Sequence, residues 1–288
     1  MASIPHVREL IISVGISADL IHQLLLLPSL QGLQTLWVRR PVPESTLQLL
    51  STLASVHTLM CCAPNDPADP DWSWLPAMPA LTDLELLFST HRLFPQRLVD
   101  AIGQCARLQS LQLDCPRLEA DVFARLCSTP SMRQLRHLSL AHFRDHDGRV
   151  GSPEYGEGFS TLERLESLRL VGMHGVNQLL PHLAHAPALR TLSVACGPDC
   201  PVSEFLNGSS RPRCEWLDQL LSAAPLLEVR LEMASSLDEW RTSKEYRTYA
   251  HSPFFKDEMD DQWRELQRMA EEMERVTIVD SRYLLSPQ

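Results

Sequence analysis

The sequence predicts an α/β solenoid, a right-handed β-α superhelix with a parallel sheet on its concave side and helices on its convex side. Three observations predict it. A six-residue pattern, apolar-x-x-apolar-x-apolar, occurs nine times, starting at Val7, Leu33, Val56, Leu81, Leu108, Leu135, Leu165, Leu189 and Leu226. The starts are separated by 26, 23, 25, 27, 27, 30, 24 and 37 residues, close to the period of about 20–29 residues of a stacked strand–loop–helix unit. Between the copies, segments with helical spacing open on helix-start residues.

Within each copy the last three positions alternate with the strand period of two, so the two flanking apolar residues face inward and the one between them faces out. Ser17 to Leu30 reads as a helix with Ser17 as its N-cap, Pro43 to Leu53 as a helix with proline near its first turn, and Phe94 to Cys105 likewise. Units of this kind stack right-handedly, each touching only its neighbours. Three stretches interrupt the pitch. Ala63 to Pro79 holds five prolines, Trp72 and Trp74 and is expected to be an irregular loop that packs a tryptophan onto a neighbour. Arg144 to Gly158 is polar and glycine-rich, and Gly197 to Arg213 is rich in proline, glycine and serine. Such insertions map to surface loops that often border a binding face.

After Leu231 the pattern lapses. Lys256 to Arg275 carries eight acidic and four basic residues, with Met259, Trp263, Leu266, Ala270 and Met273 spaced 4, 3, 4 and 3 apart. That is the narrow stripe of an amphipathic helix, expected to cap the last repeat and to lead into a tenth, degenerate strand at Met273-x-x-Val276-x-Ile278. The chain therefore divides into a solenoid over residues 1–237 and a cap over 238–288.

A net charge of -10 opposes nucleic-acid binding, which draws its non-specific affinity from lysine and arginine neutralising phosphates. The longest aliphatic run, Leu24 to Leu27, is far short of the ~20 residues that span a bilayer, so no membrane role is expected. His6, Arg8 and Glu9 break up the beginning, and no secretory signal is visible. A cytoplasmic or nuclear location follows. Cys61, Cys105, Cys115, Cys127 and Cys196 then read as reduced thiols in or beside the core, and Asn207-Gly208-Ser209 as a turn.

The repeat resembles the leucine-rich solenoids of the ribonuclease-inhibitor type, particularly the repeat regions of fungal F-box-like proteins, and the likeness covers Val7 to about Leu231. Such regions recruit substrates to cullin-type ubiquitin ligases, so the resemblance implies substrate recognition and ligase subunits as partners. The F-box itself is not expected here, because the first repeat begins at Val7. Typical members place Asn or Cys for a buried ladder where this chain has Pro41, Pro64, Ser89, Pro116, Phe143, Met173 and Gly197. Irregular loops are expected after the strands, their backbone groups finding other partners.

No phosphate-cradling Gly-x-x-x-x-Gly-Lys loop, Gly-x-Ser-x-Gly elbow or His-Glu-x-x-His helix occurs. The looser clusters are His142 with Asp145, His146 and Asp147; His182 with His185; and Cys196, Cys200 and Cys214. None has the spacing of a metal site. Neither catalysis nor a cofactor is expected.

The functional signal lies in the outward column: Ile11, Trp37, Met60, Glu85, Gln112, Ser139, Arg169, Ser193 and Arg230, with Arg39, Thr58, Asp83, Asp114 and His137 beside it. Its start is apolar where a solvated face should be polar, and an aromatic with arginine neighbours is the composition of an interface anchor. The alternative is that the Ala63–Pro79 insertion folds over Trp37 and Met60 as a satellite core. The expected function is a protein-binding scaffold, most specifically the substrate-recognition repeats of an F-box-like ligase component. The alternative is a structural or regulatory solenoid unconnected to ubiquitin.

Overall fold

The computed structural model describes residues 7–13, 15–63, 70–88, 94–115, 118–141, 153–171, 186–195, 224–233 and 275–280, with helical residues 179, 182–183, 220–222, 264, 267–268 and 270–271 between them. Ten strands make one open sheet: β1 (Glu9–Ile12), β2 (Thr35–Pro41), β3 (Thr58–Cys62), β4 (Asp83–Leu87), β5 (Ser110–Asp114), β6 (His137–Ala141), β7 (Ser167–Val171), β8 (Thr191–Ala195), β9 (Glu228–Met233) and β10 (Val276–Asp280). Their order in the sheet is their order in the chain, and every pairing is parallel. The α/β architecture is compatible with a repeat solenoid. The tenth strand, expected at Val276-x-Ile278, is in place.

Register explains the repeat. Leu36, Leu59, Leu84, Leu111, Leu138, Leu168, Leu192 and Val229 form one row across the sheet, and Val38, Cys61, Leu86, Leu113, Leu140, Leu170, Val194 and Leu231 form the next. All sixteen are buried in the single core cluster, together with the inward faces of the helices. A slip of one residue would turn these rows to solvent, so burial itself pins the register.

The covering helices are α1 (Ala18–Leu25), α2 (Glu44–Gln48), α3 (Gln96–Gly103), α4 (Ala120–Cys127), α5 (Pro130–Arg133) and α6 (Pro153–Ser160). Ser17 caps α1 as expected, its Oγ accepting from the Leu20 N–H at 3.2 Å. The helix is shorter than its apolar spacing suggests. Leu27 sits in extended geometry (φ -70, ψ 129) before Pro28, which opens a separate 3-10 turn to Leu30; proline lacks the N–H that would continue α1 and pushes its predecessor out of the helical region.

Two further expectations are corrected. The stretch expected to be a polar interruption up to Gly158 contains the start of α6, whose Tyr155 and Phe159 are wholly buried. They stand one helical turn apart and pack tilted against Phe123 of α4 at 5.6 and 5.0 Å between ring centroids. Glycine is what permits the approach, since a Cβ on Gly158 would lie 2.8 Å from the Phe123 ring. The last repeat copy begins one residue late. Leu226 is 79% exposed whereas Leu227 is fully buried, because the turn closes with the Leu227 N–H donating to the Ala224 carbonyl at 3.0 Å.

Trp72 and Trp74 pack into the core, 1% and 2% exposed, with ring centroids 6.0 Å apart. Trp72, Trp74, Leu75 and Met78 of that insertion therefore belong to the buried layer. Ala270 of the acidic segment packs against the core, and Arg275 donates to the Leu221 and Ala224 carbonyls at 2.9 and 3.1 Å. The other stripe residues expected there, Met259, Trp263, Leu266 and Met273, lie outside the described residues.

Candidate protein-docking face

Pairing in register places the outward residues in one line across the strands: Ile11, Trp37, Met60, Glu85, Gln112, Ser139, Arg169, Ser193 and Arg230, continued by Thr277 of β10. Ile11 and Arg230 are exposed, and the seven between them are half-buried. A second line, Thr35, Thr58, Asp83, Ser110 and His137, runs beside it. The sheet thus carries a row of side chains whose spacing is set by backbone hydrogen bonds, about 4.8 Å per strand.

Arg39 reaches this row through an irregularity. Between β2 and β3 the register jumps from Val38 opposite Cys61 to Pro41 opposite Cys62, so Arg39 and Arg40 have no partner in the ladder, as at a β-bulge. The guanidinium of Arg39 sits 5.1 Å from the Trp37 ring centroid, within cation–π range. Arg40 is turned back and donates to the Ile16 carbonyl. Trp37 and Met60 are neither buried in the core nor fully exposed. Among the described residues the Trp37 Nε1 and the Ser139 Oγ are shielded from water without a hydrogen-bond partner, as are the Nε1 atoms of the core residues Trp72 and Trp74.

The centre of the row is polar and organised. Gln112 Nε2 donates to Glu85 Oε1 at 2.7 Å, a cross-strand pair directly opposed in the ladder. Burial raises the Glu85 carboxyl above the ordinary carboxylate range; Asp114 adds to the rise, while Arg39 and Arg169 oppose it. Asp83 accepts from the Thr82 hydroxyl at 2.6 Å. At the far end, Arg230 lies 3.7 Å from Glu228 on the same strand, an exposed pair that contributes little energy. The row therefore passes from apolar, through acidic and amide, to basic.

One member of this surface was not singled out from the sequence. Cys62 is half-buried next to the row, and its thiol is raised by burial and then by Glu85 and Asp114. Burial likewise raises the Cys61 and Cys127 thiols and pushes Cys105 up to about 12, so these groups are held as unreactive thiols. A shallow cleft of about 380 Å³ lies away from the row, between Glu166, the turn Ala186–Arg190 and the turn Ala224–Leu226. Only the misplaced Leu226 could have signalled it in the sequence.

Among the described residues no group of three or more His, Cys, Asp or Glu side chains could hold a metal ion. His182 is described, but its companion His185, the His142–Asp147 cluster and Cys196, Cys200 and Cys214 lie outside the described residues. No helix among the described residues is long and apolar enough to cross a membrane. A scan against protein-family models and a search of curated proteins each return no match.

Proposed function

We propose that this chain is a non-enzymatic protein-binding scaffold, a leucine-rich solenoid that docks another protein across the outward row of its sheet. The observation that carries the reading is the apolar start of that row, Ile11, Trp37 and Met60, presented on adjacent strands and bordered by Arg39, Asp83 and Glu85. Aromatic and arginine side chains on a rigid support are what interface hot spots are made of. Gln112, Arg169 and Arg230 extend the surface with hydrogen-bonding and cationic groups that confer register and selectivity.

The partner class comes from a different source. Likeness of the repeat to the repeat regions of fungal F-box-like proteins supports substrate recognition for a cullin-type ubiquitin ligase. A scaffold unconnected to ubiquitin is the competing reading. It is favoured by Pro41, Pro64 and Pro116, which stand where members of that class carry Asn or Cys. Affinity capture with the tagged full chain from its source cells, with mass spectrometry, separates the two. Cullin-ligase subunits recovered reproducibly support the first; a different stoichiometric partner without them supports the second.

A further inference from the structure

The end of the sheet at β1 is built to be covered. The exposed large hydrophobic residues among those described are Ile11, Leu20, Leu26, Leu27 and Leu226, and all but Leu226 belong to the first strand–helix unit. On α1, His22 marks the side that meets α2, with its Nδ1 3.3 Å from Thr46 Oγ1. At about 100° per residue, Leu20 and Leu24 point roughly 200° away from His22, so they form a leucine stripe on the side that no described helix occupies.

The strand beneath has the same character. β1 is the first strand in the sheet order, and the Arg8 carbonyl accepts from the Gln34 and Thr35 N–H groups of the next repeat at 2.8 and 3.0 Å. With Glu9 opposite Thr35, the parallel ladder to β2 uses the even-numbered residues of β1. The N–H and C=O of Glu9 and Ile11 therefore point away from β2, to an edge on which no described strand pairs, an invitation to a further strand.

We infer that this end is a self-association surface, closed by the β1 strand of a second copy through a two-fold axis perpendicular to the sheet. A two-fold contact must be self-complementary, and this edge is. Side chains on one face must oppose side chains on the same face, and the edge-facing groups of Ile11 can exchange two hydrogen bonds with their own symmetry mates. Of the antiparallel registers these conditions allow, the one with Ile11 opposite Ile11 and Leu10 opposite Ile12 keeps Arg8 and Glu9 away from the apolar residues. Apolar residues then meet apolar residues, and neither Arg8 nor Glu9 faces its own copy. Because the axis keeps both helical layers on one face, the two α1 helices lie antiparallel, leucine stripe against leucine stripe, with no ionised side chain between them. Four strand residues and eight helical residues, about 14 and 12 Å long in two layers about 10 Å apart, give a contact on the order of 300 Å² per copy. That is smaller than a standard specific interface, so the dimer is expected to be weak and to grow with protein concentration.

Sedimentation equilibrium of the full chain tests this. The unaltered chain is expected to be a concentration-dependent dimer, and Leu20→Glu is expected to weaken self-association by at least about tenfold. Position 20 is in the first turn of α1, where a carboxylate favours the helix, so an unchanged thermal transition is expected and verifies that the variant folds. Ile11→Cys gives a readout that does not depend on loss: opposed α-carbons in a hydrogen-bonded antiparallel pair lie about 5.5 Å apart, within disulfide reach, so mild oxidation should yield covalent dimer beyond that of the unaltered chain. A chain that stays monomeric at all concentrations, or a dimer indifferent to the leucine variant and not cross-linked by Ile11→Cys, overturns the proposal.

Discussion

Trp37 and Trp72 show how the same side chain acquires different work from its place in the period of two. Trp37 occupies an outward strand position and is half-buried, whereas Trp72 is buried in the core. Truncating a buried aromatic costs about 3–5 kcal/mol, so Trp72→Ala is expected to lower the unfolding midpoint strongly. Trp37→Ser with Met60→Ser is expected to lower it much less while abolishing partner capture; serine is chosen because a glutamate at position 60 would oppose Glu85 in the ladder. Equal destabilisation by both variants would assign Trp37 to the core. Glu85 supplies a pH signature. Its folded-state carboxyl is raised, chiefly by burial, so the folded chain holds the proton more tightly than the unfolded one. Its stabilising contribution is complete below the unfolded-state pKa and is lost as pH rises through the raised value. Glu85→Gln, which keeps an oxygen for Gln112, is therefore expected to raise the thermal midpoint near pH 7 and to change little at about pH 4. A lower midpoint near pH 7 would mean that Arg39 and Arg169 outweigh the burial.

At the scale of elements, strands are legible in the sequence and helix ends are less so. Each of β2–β9 is specified by two inward apolar residues whose register is enforced by burial, and the degenerate Val276-x-Ile278 suffices to add β10. Helix α1 ends early because Pro28 acts on the residue before it, a local effect that apolar spacing does not display. Helix α6 escaped because its two glycines look like loop residues until the ring of Phe123 is placed against Gly158. The outward row was legible as a column, since period and register determine which residues face outward. Its degree of exposure was not, because the approach of Arg39 to Trp37 depends on a register shift between β2 and β3. The close fit of α6 on α4 yields a prediction. Tyr155 donates its hydroxyl to the Leu118 carbonyl at 2.7 Å in a buried setting, so Tyr155→Phe is expected to cost about 1–3 kcal/mol by leaving that carbonyl unsatisfied. Gly158→Ala is expected to cost a similar amount through overpacking. Denaturant titration measures both; a neutral effect of Gly158→Ala would show that the two helices can separate without loss.

For the molecule as a whole, what matters is that chain order and sheet order coincide. Each strand is hydrogen-bonded only to the strands before and after it in sequence, so no strand pairing ties β1–β3 directly to β8–β10. In arrays of this kind stability is approximately a sum of local terms and nearest-neighbour terms, and an injury should be felt in proportion to its distance along the sheet. Leu111 of β5 is 1% exposed in the inward row, and Leu→Ala at such a site costs about 2–5 kcal/mol. Hydrogen exchange of the Leu111→Ala variant is therefore expected to show the largest loss of protection in β4, β5 and β6, a smaller loss in β3 and β7, and the least in β9. Equal loss in every strand would show instead that the sheet opens as one cooperative unit, its core welded by the helices on its covered face. The graded outcome would mean that the Trp37–Met60 end of the outward row keeps its geometry even when the middle of the sheet is weakened.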